Sequence, residues 1–331
     1  MHDLPDPLRI EPRGPIDARV RVPGSKSVTN RALLVAALAE GNSELSGALA
    51  SDDTEVMIAS LGALGCAIDA VGEPWRVTGT GGRLHVPATP LFTGNSGTTA
   101  RFLTAAACLA DGPVTIDGSA RMRERPIDDL TRALEELGAR CEILGLRGCP
   151  PVRVAGGGLR GGAAAIDARR SSQYVSAVLL AAPYAARDVA LRFDGGVLVS
   201  RPYVDLTLDV MRAFGASADW EDSDALRVRA GAHYRGRRYA IEADASSAAY
   251  PFCAAAIAGG SETAVAAPAT VELRRNARRE VFITSSKRGW MPSMPVARAR
   301  GLTPAAVRRP VDTSRRRSRN RRRSAPRARV P

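Results

Sequence analysis

Three stretches of the chain share one arrangement of apolar and polar positions. "SDDTEVMIASLGALGCAI" (51–68), "RPIDDLTRALEELGARCEI" (125–143) and "RPYVDLTLDVMRAFGASAD" (201–219) each begin with an acidic or polar segment and continue with apolar residues at three-to-four spacing. Each ends in Leu/Phe-Gly-Ala/Cys and a short run. This spacing predicts an amphipathic helix that stops at the glycine and enters a strand. A second set interleaves with the first: "SKSVTNRALLVAALAEG" (25–41), "GNSGTTARFLTAAACLADG" (94–112), "RRSSQYVSAVLLAAPYAARD" (170–188) and "DASSAAYPFCAAAIAGG" (244–260). Each passes from small polar residues into an Ala- and Leu-rich helix almost free of charge, the pattern of a helix buried on nearly all sides. Strands are expected next, at "NSELSGA", "PVTIDGS" and "DVALRFDGG".

The pattern returns about every 75 residues, so repeats set the architecture. Each repeat holds a buried helix, a strand, an amphipathic helix and further strands with glycine turns. The fold class is α/β (α+β): three complete repeats share a core of buried helices, with sheets on the outside. The polar starts of the buried helices then face one end of the molecule. That places Ser27, Thr98, Ser172 and Ser247 in a common region, where helix dipoles and free N–H groups favour anions.

Charge sharpens this. Residues 1–270 contain 27 arginines and a single lysine, Lys26, in a Gly-Ser-Lys-Ser loop at the start of a buried helix. An ammonium, backbone N–H groups and hydroxyls at a helix start suit a phosphate. The formal net charge of +13 is uneven: residues 271–331 hold 19 of the 47 basic and 3 of the 34 acidic residues. The body is slightly acidic, so the basic tail is read separately from it. Nothing at the N-terminus resembles a secretory signal and no apolar run could span a bilayer, so a cytoplasmic, soluble protein is expected. The five cysteines form no C-x-x-C pair and are read as reduced and structural. No metal-ligand spacing occurs.

"PGSKSVTNRALL", "GNSGTTARFL", "RMRERPI", "SSQYVSAVLLAAP", "SRPYVDLTL" and "DASSAAY" occur in one order along residues 8–265. With these six motifs the chain resembles the 5-enolpyruvylshikimate-3-phosphate synthase family, the 3-phosphoshikimate 1-carboxyvinyltransferases of aromatic amino-acid biosynthesis. The resemblance implies a fold of βαβαββ units in an inverse α/β barrel, two domains with the active site in the cleft, and no cofactor. It implies transfer of the enolpyruvyl group of phosphoenolpyruvate to the 5-hydroxyl of shikimate-3-phosphate, with release of phosphate. Carried over by position, Lys26 touches both substrates. Ser27, Arg31, Ser171, Ser172, Gln173, Ser200 and Tyr203 hold shikimate-3-phosphate, while Gly97, Arg125 and Gln173 hold phosphoenolpyruvate.

Each motif also has a plainer reading. Arg121, Arg123 and Arg125 could be a solvated basic turn, "SSQ" a helix cap, and Asp244 another cap. Neither His85 nor His233 is placed as an acid or base. Two further classes stand beside the first: a related UDP-N-acetylglucosamine enolpyruvyl transferase, and a nucleic-acid binder acting through the basic tail.

The fourth repeat starts at "IEADASSAAYPFCAAAIAGG" and then departs from the pattern, ending in "SRRRSRNRRRSAPRARVP". Residues 21–240 are therefore expected to be one complete domain. Residues 1–20 and 241–265 read as fragments of a second, and 266–331 as an aberrant disordered tail. A shifted reading frame would produce such a tail; a genuine basic tail is the alternative. The family's acid and base would lie beyond this region, so the chain alone is expected to be an inactive monomer.

Overall fold

The structure is a computed structural model that describes residues 17–258 and 261–266. The expectations placed on the N-terminal segment before residue 17, and on nearly all of the tail, lie outside the described residues.

After strand β1 (Asp17–Val22) the first repeat runs through α1 (Lys26–Leu38), β2 (Asn42–Ser46), α2 (Asp52–Ala63), β3 (Ala67–Asp69) and β4 (Trp75–Thr78). The second is β5 (Leu91–Phe92), α3 (Gly97–Ala106), β6 (Val114–Asp117), α4 (Asp128–Glu136), β7 (Cys141–Ile143) and β8 (Val152–Val154). The third is β9 (Gly162–Ala168), α5 (Ser172–Ala181), β10 (Val189–Leu198), α6 (Arg201–Ala213), β11 (Ala218–Trp220) and β12 (Ala225–Val228). Then come β13 (Arg238–Ala240), α7 (Ala245–Ala258) and β14 (Ser261–Ala266).

The last two repeats are βαβαββ units, and each builds a four-stranded sheet with the same wiring. β5 pairs parallel with β6, then β8 and β7 add antiparallel; β9, β10, β12 and β11 repeat this. The first repeat has no strand of its own ahead of α1 in that place, because β1 pairs instead with β14. β13 fills it: Arg238–Ala240 lies parallel to Glu44–Ser46, giving β13-β2-β4-β3. A strand from after the third repeat thus completes the sheet of the first and closes the set of three.

Burial follows the sequence pattern. In α1 every residue from Val28 to Leu38 is buried, and α3 and α5 are buried along nearly their whole length. In the amphipathic helices only one stripe is buried, for instance Val204, Thr207, Leu208, Val210 and Met211 of α6. Rows of alanine on α1, α3 and α5 let these helices approach closely, while the sheets turn alternate residues inward, as in Val114 and Ile116 of β6. One apolar core unites the three repeats. A second, small cluster of Val22, Ala243, Ala248 and Phe252 lies where α7 meets β1.

Candidate functional site

The N-terminal halves of the six helices of the three repeats are tied together by hydrogen bonds from side chains. From α1, Arg31 donates through Nε to Thr207 Oγ1 (2.7 Å) and through Nη2 to Tyr203 O (3.1 Å), both on α6, and to Ser176 Oγ (3.3 Å) on α5. From α5, Gln173 accepts from Arg101 Nη1 (2.9 Å) and donates to Thr98 Oγ1 (3.0 Å), both on α3. Thr99 Oγ1 donates to Asp53 O on α2, and Asp53 pairs with Lys26 Nζ at 2.8 Å. Tyr174 Oη donates to Pro126 O just ahead of α4 (2.7 Å). The starts of α1, α3 and α5 therefore face one region, as the buried-helix pattern required, and α2, α4 and α6 join them there. The start of α7 lies beside that of α1, with Ser25 N donating to Glu242 O and Asp244 N to Pro23 O, so Ser247 is near the same end.

Local sequence explains each start. Ser25, Ser96 and Ser171 are the N-caps of α1, α3 and α5, accepting from Val28 N, Thr99 N and Gln173 N. The cap reading of "SSQ" is thus correct for Ser171, which leaves buried Ser172 and half-buried Gln173 to point elsewhere. Asp244 also caps, accepting from Ser246 N and Ser247 N. Gly24 of the Gly-Ser-Lys-Ser loop serves packing rather than anion binding, since a Cβ there would overlap the Gly47 carbonyl oxygen.

The three arginines of "RMRER" differ in their partners. Arg121 pairs with Glu124 at 2.7 Å and Arg123 with Asp117 at 2.5 Å. Hydrogen bonding to Arg123 holds the Asp117 carboxyl below the usual carboxylate range. Arg125 has no carboxylate among the described residues; it reaches Asn95 O (3.3 Å) and lies over Gly97. The solvated-turn reading fits Arg121 and Arg123, while Arg125 lies against Asn95 and Gly97 instead.

Gly97 is buried at the first position of α3. A Cβ built on it would lie 2.8 Å from both Nη1 and Nη2 of Arg125 and closer than 3.0 Å to Nη1 of Arg101. Two guanidinium groups therefore meet at the point where the side chain is missing. Arg31 is 2% exposed, and its own bonds, including Nη1 to Ser27 O (2.9 Å), occupy all but one of its N–H directions. Burial pushes its guanidinium down to about 10. Its contribution to a ligand is thus limited to that one N–H and to its charge. Half-exposed Lys26, Ser200 and Tyr203 line the rim; Ser200 is left-handed (φ 54°) and exposed at the entrance to α6, and Tyr203 is 45% exposed.

Two residues of this site escaped the sequence reading. Asp53 looked like one of several acids at a helix start, and Arg101 like the single charge in a buried helix. The available signal was helical spacing: Arg101 lies one turn after Gly97, on the same face.

Residues 10–281 match the family model of EPSP synthase (3-phosphoshikimate 1-carboxyvinyltransferase). This chain belongs to that family. A 3-phosphoshikimate 1-carboxyvinyltransferase of Methanoculleus marisnigri is 45% identical over 256 residues, which is 76% of this chain and 60% of that protein. One from Yersinia pestis is 44% identical over 259 residues, 77% of this chain and 60% of the relative. Among solved structures, EPSP synthase from Acinetobacter baumannii superimposes with a TM-score of 0.68 at 28% identity, covering 76% of this chain and 56% of the other. The chain spans about 60% of the length of the curated relatives it matches. The family match runs to residue 281, beyond the 265 at which the motif resemblance stops. Among the described residues no cluster of His, Cys, Asp and Glu could hold a metal, and no helix is long and apolar enough to cross a membrane.

Proposed function

We propose that the end of the molecule where the helix starts converge binds the two anionic substrates of an enolpyruvyl transfer. The observation that carries this is the pairing of Gly97 with an Arg125 that, unlike its two motif neighbours, has no carboxylate partner among the described residues. In this reading phosphoenolpyruvate sits over Gly97, its phosphate on Arg125 and its carboxylate within reach of Lys26 and Gln173. Shikimate-3-phosphate lies along the starts of α1, α5 and α6, against Ser27, Ser171, Ser172, Gln173 and Ser200. Tyr203 covers its ring, and Arg31 supplies charge from below.

The 5-hydroxyl loses its proton as its oxygen bonds to C2 of phosphoenolpyruvate, whose methylene carbon gains a proton; the C–O bond to phosphate then breaks, phosphate leaving as a proton departs from the new methyl group. Cationic groups held in place before substrate arrives stabilise such a reaction. The residues assigned here bind and orient; none is assigned the proton transfers, which need a group poised near the carbon. Residues 21–240 act in this proposal as one domain, 1–20 and 241–265 as parts of a second, and the chain as a cytoplasmic monomer without a nucleic-acid partner, in keeping with its slightly acidic body.

Calorimetry tests the reading. The chain should bind shikimate-3-phosphate, and Ser172→Ala with Gln173→Ala should weaken it by about a hundredfold or more, as loss of two hydrogen bonds to a charged ligand at about 1.5–3 kcal/mol each requires. Unchanged affinity in the double variant would remove that turn from the site. Phosphate release in the presence of both substrates should stay at background.

A further inference from the structure

Arg101 belongs to none of the residues that the motifs assign, yet it is a buried cation with an unanswered N–H. It is 6% exposed, and among the described residues it has no carboxylate partner. Its guanidinium lies 5.3 Å from the centre of the Tyr174 ring, its Nη1 donates to Gln173 Oε1, and its buried Nε has no hydrogen-bond partner among the described residues. Burial lowers its proton affinity, the neighbouring Tyr174 offsets part of this, and the nearby positive charge of Arg125 lowers it again.

A purely structural role accounts poorly for this. Bridging α3 to α5 needs only one neutral donor to Gln173, and filling space beside Tyr174 needs only an apolar chain. Neither requires a buried charge with an orphaned N–H, which costs stability unless something anionic answers it. The geometry names where that anion would sit, because Nη1 of Arg101 and both terminal nitrogens of Arg125 surround the vacant Cβ position of Gly97. Two like charges held around one point, from two elements, with no acid between them, form a fork for a group with two negative charges.

We propose that Arg101 is a direct ligand of the phosphate-like dianion bound over Gly97, sharing it with Arg125. The proposal rests on the reading of Gly97 and Arg125 given above and adds a second guanidinium to it. Arg101 also consumes the carbonyl end of Gln173, and Thr98 takes one of its amide hydrogens. Gln173 is left to face the site as an N–H donor, which suits an anion and not a hydroxyl hydrogen. The same phosphate chemistry occurs in both substrates, so the two are titrated separately.

The test uses the 331-residue chain with phosphoenolpyruvate, shikimate-3-phosphate and inorganic phosphate as probes, read by calorimetry and thermal unfolding. Arg101→Lys keeps the charge and loses the fork, so phosphoenolpyruvate should bind at least about tenfold more weakly. Shikimate-3-phosphate affinity should stay within about twofold, with the ligand-free protein melting no lower than the parent. If Arg101→Lys binds phosphoenolpyruvate like the parent while Arg125→Lys loses it, Arg101 is not a ligand and the proposal falls while the assignment of Arg125 stands. If Arg125→Lys also binds normally, the reading of the Gly97 site falls with it. Should Arg101→Lys not fold, a crystal structure of the parent chain with phosphoenolpyruvate decides: phosphate oxygens in hydrogen-bond reach of both guanidiniums support the proposal, and contact with Arg125 alone overturns it.

Discussion

Replacing Gly97 by alanine separates stability from binding at one atom. The new methyl carbon meets Nη1 of Arg101 and Nη1 and Nη2 of Arg125, the last two at 2.8 Å, and no backbone atom is among the three nearest. Both neighbours are ends of flexible side chains, so they can swing aside. The backbone at Gly97 is not left-handed, and alanine suits the first turn of a helix, so folding stability should change by less than about 1 kcal/mol.

Binding should respond differently. Displacing the guanidiniums by the width of a methyl group breaks one or two charge-assisted hydrogen bonds, each worth about 1.5–3 kcal/mol. Loss of one alone predicts phosphoenolpyruvate binding roughly 10- to 100-fold weaker. Shikimate-3-phosphate, held mainly by α1, α5 and α6, should lose less than about threefold. Calorimetry on both ligands and urea unfolding of the same preparation measure the two arms. Unchanged phosphoenolpyruvate affinity would refute the placement of its phosphate over Gly97; a loss of stability above about 2 kcal/mol would show that the added carbon strains the helix rather than the arginines.

Other parts of the site respond to simpler perturbations. Asp53→Asn releases Lys26 from a half-exposed ion pair worth about 0.2–1 kcal/mol, so inorganic phosphate should bind up to about fivefold more tightly at low salt, a gain that vanishes as salt is raised. Asp117 and Asp167 have depressed carboxyl pKa values, through hydrogen bonds from Arg123 and Arg169, so the stability they contribute is present above the unfolded value of 3.8 and is lost as pH falls below it. Asp117→Asn should accordingly flatten the acid limb of a pH–melting curve and leave its neutral-to-basic limb parallel to the parent's. Burial pushes the Cys66 and Cys141 thiols up to about 12, and Cys108 higher still, while Cys253 is exposed. Native-state alkylation at pH 8 should modify Cys253 first, partly buried Cys141 more slowly, and Cys66 and Cys108 only on unfolding; early labelling of Cys66 or Cys108 would mean that the central core opens locally.

The helices were legible because their signals are local. Small polar caps followed by uncharged Ala- and Leu-rich runs placed α1, α3 and α5, and acidic starts with three-to-four spacing placed α2 and α4. Strands with weak local signals were not. β9 is "GAAAIDA", with one β-branched residue, and becomes a strand through its parallel pairing with β10. β13 is three residues, "RYA", whose place is decided by a gap in a sheet nearly 200 residues earlier in the chain. The site divides in the same way. The motif residues could be named from sequence, but which of three arginines in five positions lacks an acid depends on Asp117 and Glu124 in space. The buried charge of Arg101 likewise acquires meaning only beside Gly97 and Gln173.

The sorting of arginines into paired and unpaired is the physical basis of the site. Around the converging helix starts, Arg121, Arg123, Arg132, Arg169 and Arg170 are each matched by an aspartate or glutamate, with Asp128 and Asp129 serving both Arg132 and Arg170. Arg170 ties the "RRSSQ" turn to the start of α4, and Arg123 ties its own turn to Asp117 at the end of β6. Arg31, Arg101 and Arg125 have no carboxylate among the described residues, and the first two are buried. A surface evolved only for solubility would expose its unpaired cations and pair the buried ones, because an uncompensated charge is cheapest in water. Here the order is reversed. Cations whose charge is left unanswered by the described residues, set among the positive ends of α1, α3 and α5, are the arrangement expected where the missing negative charge arrives with the ligand.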